Sequence, residues 1–219
     1  MSPRHMLHIG VDPGLPGALA VVDGAARLQM AASWWAVNKE AHRITTRLWW
    51  ADADMQPTAL GERSRLSLVG DWLACGIAHG LHGHVATLTC EELFVKKEAG
   101  GGAPILLTEW YAASICVLIE HACNVPTRRV RAVTWRAQVY GRGGGGLDGP
   151  AAKRVALQRG PGLVSGLAAA LDACKPPRGK PPHHLAEAAM IAKWGRDQWR
   201  HRQRPHREPQ ARMFGGGSR

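Results

Sequence analysis

The sequence predicts an α/β domain, a mixed sheet covered by helices. Three observations carry that expectation. The chain opens with two apolar runs divided by Gly and Pro, and further short strand-like runs alternate with longer helical ones. The order strand, strand, strand, helix, strand, helix, strand, helix, helix suits layered α/β packing. A length of 219 residues and a mass of 23.7 kDa suit one domain, or one domain with tails. Apolar residues at 45% suffice for a core and exclude wholesale disorder.

Residues 6–23 read as a hairpin. Met6 to Val11 and Ala18 to Val22 are apolar and flank Asp12-Pro13-Gly14 and Pro16-Gly17, where the chain must turn. Residues 24–62 hold Trp34, Trp35, Trp49 and Trp50 without a clean period, so a third strand and an irregular connection are expected there. Residues 63–81 space Leu66, Val69, Trp72, Leu73 and Ile77 helically. Val85 to Cys90 is a buried strand ending at Glu91-Glu92, and residues 97–103 are a flexible loop. Residues 105–123 form a buried helix. After Pro126, Arg129 to Val133 forms a strand leading into Thr134-Trp135-Arg136. Residues 141–150 are glycine-rich and predict a mobile loop. Helices are expected at 151–158 and near 164–173, then a stiff basic connection from Lys175 to Pro182 and a helix from His183 to Trp194. Residues 1–195 thus read as one domain, and 196–219 as a basic, disordered tail: from Lys193 to Arg219 there are eight Lys/Arg and two Asp/Glu.

Charge narrows the function. Lys and Arg number 28 against 17 Asp and Glu, for a net charge of +11 and a pI near 10.1. Such an excess favours a polyanionic partner, nucleic acid before an anionic membrane surface. The five cysteines are odd in number and form no Cys-x-x-Cys pair, which argues against a disulfide framework or a structural zinc and fits a reducing cytosol. The N-terminal residues lack a signal-like apolar stretch, and no run approaches the roughly 20 residues that span a bilayer. A cytoplasmic protein is expected.

Three acids sit at the ends of apolar elements: Asp12 after the first strand, Glu91 after Thr87-Leu88-Thr89-Cys90, and Glu187 on the last helix. A carboxylate beside an apolar strand is costly to bury without a cation. Three converging would make an oxygen-ligand site suited to Mg2+. His183 and His184 precede Glu187 by four and three residues, about 40° and 60° round a helix, so either can share its face and bind metal or move a proton. Each residue also has an ordinary reading: Asp-Pro-Gly is a common turn, Glu91 and Glu92 can cap, the histidines can start a helix, and Glu187 can be solvated. Their joint order and spacing favour the functional reading.

Those residues carry a family resemblance. Ile9-Gly10-Val11-Asp12-Pro13-Gly14-Leu15-Pro16-Gly17-Ala18 resembles the first hairpin of RuvC-type Holliday-junction resolvases, closest to the phage and plastid branch. Glu91-Glu92-Leu93-Phe94 is similar to the family's strand-ending Glu-x-x-Phe. Pro182-His183-His184-Leu185-Ala186-Glu187-Ala188 is similar to Asp-His-Gly-Arg-Ala-Glu-Ala of that branch, with Pro182 and Leu185 in place of the Asp and Arg. This register places the catalytic His at His183, whereas the bacterial RuvC pattern points to His184. Val130 to Trp135 resembles the Val-x-Pro-x-x-Trp stretch without its Pro, and residues 30–60 have no counterpart.

The resemblance implies an RNase H-like fold with a five-stranded mixed sheet and a homodimer that resolves four-way DNA junctions by paired, symmetric nicks. It implies catalysis by Asp12, Glu91, Glu187 and His183 or His184, with Mg2+ (Mn2+ substituting) held by Asp12, Glu91, Glu187 and His183. It also implies the cytoplasm of a bacterial or phage-infected cell, at the nucleoid, and a role in recombination and repair. Phe94, Lys96, Lys97, Arg129, Arg131, Arg136, Lys153, Arg154 and Lys180 are the candidate DNA contacts, whose summed charge favours salt-sensitive phosphate binding. The alternatives are an RNase H-like nuclease acting on another branched or RNA-containing substrate, a non-catalytic nucleic-acid-binding module, and an actin-like phosphate-binding enzyme. The last usually needs two such domains, and this chain has room for one.

Overall fold

The computed structural model describes residues 6–14, 16–38, 43–51, 58–63, 85–92, 102–147, 149–176 and 179–204. The expected helix at 63–81 therefore lies almost wholly outside the described residues, as do Phe94, Lys96, Lys97 and the last fifteen residues of the expected tail.

The strands are β1 (Leu7–Asp12), β2 (Gly17–Asp23), β3 (Leu28–Asn38), β4 (Arg43–Trp50), β5 (Thr58–Arg63), β6 (Val85–Glu92) and β7 (Thr127–Arg131). They form one sheet in the order β5-β4-β3-β2-β1-β6-β7. Neighbours from β5 to β1 are antiparallel, whereas β6 runs parallel to β1 and β7 parallel to β6. The run β3-β2-β1-β6-β7, which ends at the β7 edge, is a five-stranded mixed sheet of the kind expected. The five-stranded expectation is corrected to seven, because the segment read as an irregular connection supplies β4 and β5.

The helices are α1 (Gly102–Cys123), α2 (Ala132–Tyr140), α3 (Gly149–Leu163), α4 (Leu167–Ala173) and α5 (His183–Gln203). The sequence places Arg129 to Val133 in a strand, but the strand ends at Arg131 and a helix begins at once. That helix stops at Gly141, which adopts φ 77°, a left-handed conformation a side chain would strain. In the glycine-rich stretch, Gly144–Gly146 forms a 3-10 turn with Gly144 buried. The last helix extends to Gln203, past residue 195.

Strand alternation sorts side chains onto two faces. Leu7, Ile9, Val11, Leu19, Val21, Leu88 and Cys90 join one core with Ala112, Ile115, Cys116 and Ile119 of α1. Ala18, Ala20, Val22 and Val130 join the other with α3, α4 and α5. His8, Gly10 and Asp12 alternate onto this second face, as do Thr87, Thr89 and Glu91.

Helix α5 is the element that fixes the site. It starts where Pro181-Pro182 must end any preceding helix, and the Pro182 carbonyl accepts from the Leu185 and Ala186 N–H groups. Its residues from His184 to Ala192 are all buried, and the small Ala186, Ala188, Ala189 and Ala192 let it lie close on the sheet. Gly10 completes the fit. A Cβ there would stand 2.9 Å from the Ala192 Cα and closer still to the Ala188 carbonyl oxygen and the Ala192 nitrogen. Among the described residues no helix is long and apolar enough to cross a membrane.

Candidate active site at the strand ends

Register builds the site. Val11 pairs with Cys90 across the parallel β1–β6 ladder, so Asp12 and Glu91 follow as neighbours at the strand ends. Glu91 in turn pairs with Val130 of β7. On the other side Asp12 pairs with Ala18, and Ala18 with Ser33. One row across the sheet thus reads Ser33, Ala18, Asp12, Glu91, Val130. The first turns of α5 cross this end of the sheet, bringing the buried Glu187 to the carboxylate pair and His184 to Ser33.

Each carboxylate has a partner fixed by the fold. Asp12 Oδ1 accepts from the Gly14 N–H at 3.3 Å. Glu91 Oε2 accepts from the indole N–H of the fully buried Trp135 at 2.7 Å. Glu187 Oε1 accepts from Arg136 Nη2 at 2.7 Å, and the Arg136 guanidinium is largely buried. Adjacent residues of α2 therefore brace two of the three acids. A buried indole needs an acceptor for its N–H, so the Trp of Thr134-Trp135-Arg136 is itself a signal for a nearby carboxylate.

The electrostatics are those of too much negative charge in one place. Asp12 is pushed well above the usual carboxylate range by burial first, then by Glu187 and Glu91, against the Gly14 hydrogen bond and Arg136. Glu91 is raised by burial and by Glu187, opposed by Arg136 and the Trp135 bond. Glu187 is raised by burial, opposed by Arg136 and Lys153.

The two histidines differ. His184 is buried, its Nε2 hydrogen-bonded to Ser33 Oγ at 2.9 Å, while its Nδ1 has no hydrogen-bond partner among the described residues. Burial, His183 and Lys153 lower its pKa to about 3. His183 is half-buried, edge-on to His184 at 5.2 Å between ring centroids, with its pKa lowered to about 4 by burial and Lys153. Ser33 lies 151 residues from His184, and no local pattern singles it out.

The other expected DNA contacts scatter. Lys153 and Arg154 are exposed on α3, and Lys153 is near enough to act on both histidines and Glu187. Lys180 is exposed just before α5. On β7, Arg131 is exposed and lies 3.5 Å from Glu92, and Arg129 Nη1 donates to Cys90 Sγ at 3.1 Å. Arg136, expected on the DNA surface, is instead turned inward onto Glu187.

Among the described residues, no group of three or more His, Cys, Asp and Glu side chains is gathered closely enough, as placed, to hold a metal ion. The donor set nonetheless fits one in kind. Three buried or half-buried carboxylates face a single guanidinium, an imbalance that an oxygen-preferring divalent cation would relieve.

No family model matches the chain. No curated protein matches it either. Among solved structures, it is similar to Thermus thermophilus RuvC in complex with a Holliday junction substrate, at 16% identity, with 90% of this chain and 96% of that one covered and a TM-score of 0.43. A second structure of Thermus thermophilus RuvC gives 17% identity, the same coverage and the same TM-score.

Proposed function

We propose that this chain is a Mg2+-dependent, structure-selective endodeoxyribonuclease that resolves four-way DNA junctions by paired nicks, acting as a homodimer. The observation that carries the reading is the convergence of Asp12, Glu91 and Glu187, from β1, β6 and α5, on one end of the sheet. Their order and flanking residues resemble the RuvC motifs, and a net charge of +11 suits a polyanionic substrate.

Asp12, Glu91 and Glu187 would hold the metal, with His183 beside them. Bound Mg2+ supplies Lewis acidity at the scissile phosphate and lowers the pKa of the attacking water. His183, one helical turn before Glu187, orients that water or takes its proton. Trp135 and Arg136 each hold one of these acids by a hydrogen bond, Glu91 and Glu187 respectively. Lys153, Arg154, Lys180, Arg129 and Arg131 neutralise backbone phosphates. Hydrolysis on this plan leaves 5′-phosphate and 3′-hydroxyl ends.

The test is a labelled four-way junction incubated with the full chain and Mg2+, beside duplex, fork, flap and RNA–DNA hybrid controls. Paired nicks confined to the junction are expected. Equal or better cleavage of the hybrid or flap would assign a different nuclease. Tight junction binding with no cleavage of any substrate would make it a binding module.

A further inference from the structure

Among the described residues a cavity of about 520 Å3 lies away from the carboxylates. It lies between the first half of β6, the start of β7 and the last turns of α5. Along β6, Thr87 is four residues from Glu91, roughly 13 Å. Along α5, Trp199 is twelve residues from Glu187, roughly 18 Å. None of its lining residues belongs to the carboxylate site.

Its chemistry is specific. Pro126 and the Trp199 ring give it apolar walls, while Arg128, Arg202 and the Gln203 amide stand at its polar side. None of the described lining residues is acidic, and among the described residues neither arginine is paired with a carboxylate. The α5 carbonyl end would repel an anion, but Arg200, His201 and Arg202 in the last turn offset it. The walls are braced. Arg128 lies over the Trp194 ring at 4.6 Å, and Trp199 rests against His8 at 5.6 Å between centroids. His8 is in turn bonded to the Thr87 hydroxyl at 3.0 Å.

Two side-chain hydroxyls in the lining, those of Thr89 and Thr127, have no hydrogen-bond partner among the described residues. The Thr89 side chain is fully buried. A buried hydroxyl without a partner is costly, so it marks a place where a ligand atom can complete a hydrogen bond.

We infer that this cavity is a nucleotide-binding site: a phosphate taken by Arg128 and Arg202, and a base laid against Trp199 with its polar edge toward Thr89 and Gln203. The volume lies within the range of small-ligand pockets. An aromatic wall, two arginines and a few hydroxyl and amide groups form the set that recognises a phosphate joined to a flat heteroaromatic ring. The site stands independently of the nuclease reading. The nucleotide can come from two sources, a free nucleoside monophosphate or an unpaired nucleotide of a bound strand.

Isothermal titration of the full chain with dAMP, dGMP, dCMP, dTMP and inorganic phosphate, each alone, tests this. At least one nucleotide should bind with a Kd below about 1 mM and at least about tenfold more tightly than phosphate, on the scale of one stacking contact. The exposed Arg202→Gln should weaken it about tenfold, the scale of one charge-assisted hydrogen bond. Trp199→Leu should remove the preference over phosphate, and Thr89→Val, nearly isosteric, should weaken nucleotide binding with the circular dichroism spectrum unchanged. Absence of nucleotide binding, phosphate binding as tightly, or Arg202→Gln and Thr89→Val both binding like the parent would overturn the inference. Competition with a short single-stranded oligodeoxynucleotide separates the sources. Mutual displacement supports a strand's nucleotide, and mononucleotide binding unaffected by the oligonucleotide supports a free one.

Discussion

Replacing Gly10 with alanine should unseat α5 and, with it, Glu187. The added Cβ would stand 2.9 Å from the Ala192 Cα and closer to two further backbone atoms of α5. Carbon atoms in contact normally sit about 3.5–4.0 Å apart, so the helix must withdraw by the better part of an ångström. No side chain can yield instead, because all three clashing atoms belong to the main chain. The lost packing is broad, since α5 buries an unbroken run from His184 to Ala192 against the sheet and α3. Overpacking of a core costs about 1–3 kcal/mol. Here the upper end, about 3 kcal/mol, is expected, and in a chain of this size that corresponds to roughly 6–12 °C in Tm. Urea denaturation followed by circular dichroism measures it. Gly146→Ala, where a Cβ meets nothing within 4 Å, is the matched control and should change stability by less than about 0.5 kcal/mol. A Gly10→Ala protein as stable as that control would refute the packing of α5 on β1, and with it the placement of Glu187.

Three further outcomes follow from the same structure. His8 is fully buried, and its pKa is lowered to about 4, by burial first and then Arg196, with Arg200 adding and Asp197 and Asp23 opposing. The unfolded chain therefore takes up a proton from about pH 6.5 downward that the folded chain refuses, and stability carried by neutral His8 should be lost as pH falls from 6.5 to 4. The difference between parent and His8→Gln should shrink by about 3 kcal/mol across that window, measured by urea titration at each pH; a pH-independent difference would contradict it. Asp12→Asn should raise the urea midpoint of the metal-free protein, because it removes one of three crowded charges, while abolishing cleavage; a lowered midpoint would contradict the repulsion. His184→Ala should destabilise by about 1–3 kcal/mol through the buried Ser33 hydroxyl it abandons. His183→Ala should cost little stability but about 10²–10⁴ in single-turnover cleavage rate. The reverse pattern would move the catalytic role to His184.

What the sequence shows and what it hides have physical causes. The β1–β2 hairpin was legible because Gly and Pro punctuate two apolar runs, and α5 because Pro181-Pro182 fixes its start. Strands β4 and β5 were not. In β4 the period-two signal fails because both faces are covered there: Trp49 and Trp50 are adjacent residues packed against different cores. Helix α2 was hidden because Val130 to Trp135 is too short an apolar run for periodicity to separate strand from helix. The glycine-rich stretch after it reads as loop, yet Gly144 packs where a Cβ would stand 2.5 Å from the Arg136 carbonyl oxygen. Asp12 and Glu91 could be singled out because each lies at the end of an apolar strand, and Glu187 because it follows the histidine pair on the last helix. Their braces could not: the bonds of Trp135 to Glu91, Arg136 to Glu187 and Ser33 to His184 span 44, 51 and 151 residues, and no local pattern encodes them.

The most direct test of the central claim is the single-turnover nicking rate of a labelled four-way junction, measured as Mg2+ is titrated, for the parent and for Asp12→Asn, Glu91→Gln and Glu187→Gln. The account predicts no cleavage without metal, a rate that saturates with Mg2+ in the parent, and loss of cleavage with junction binding retained in each variant. Metal-independent nicking, or a parent-like rate in any one of the three, would contradict it.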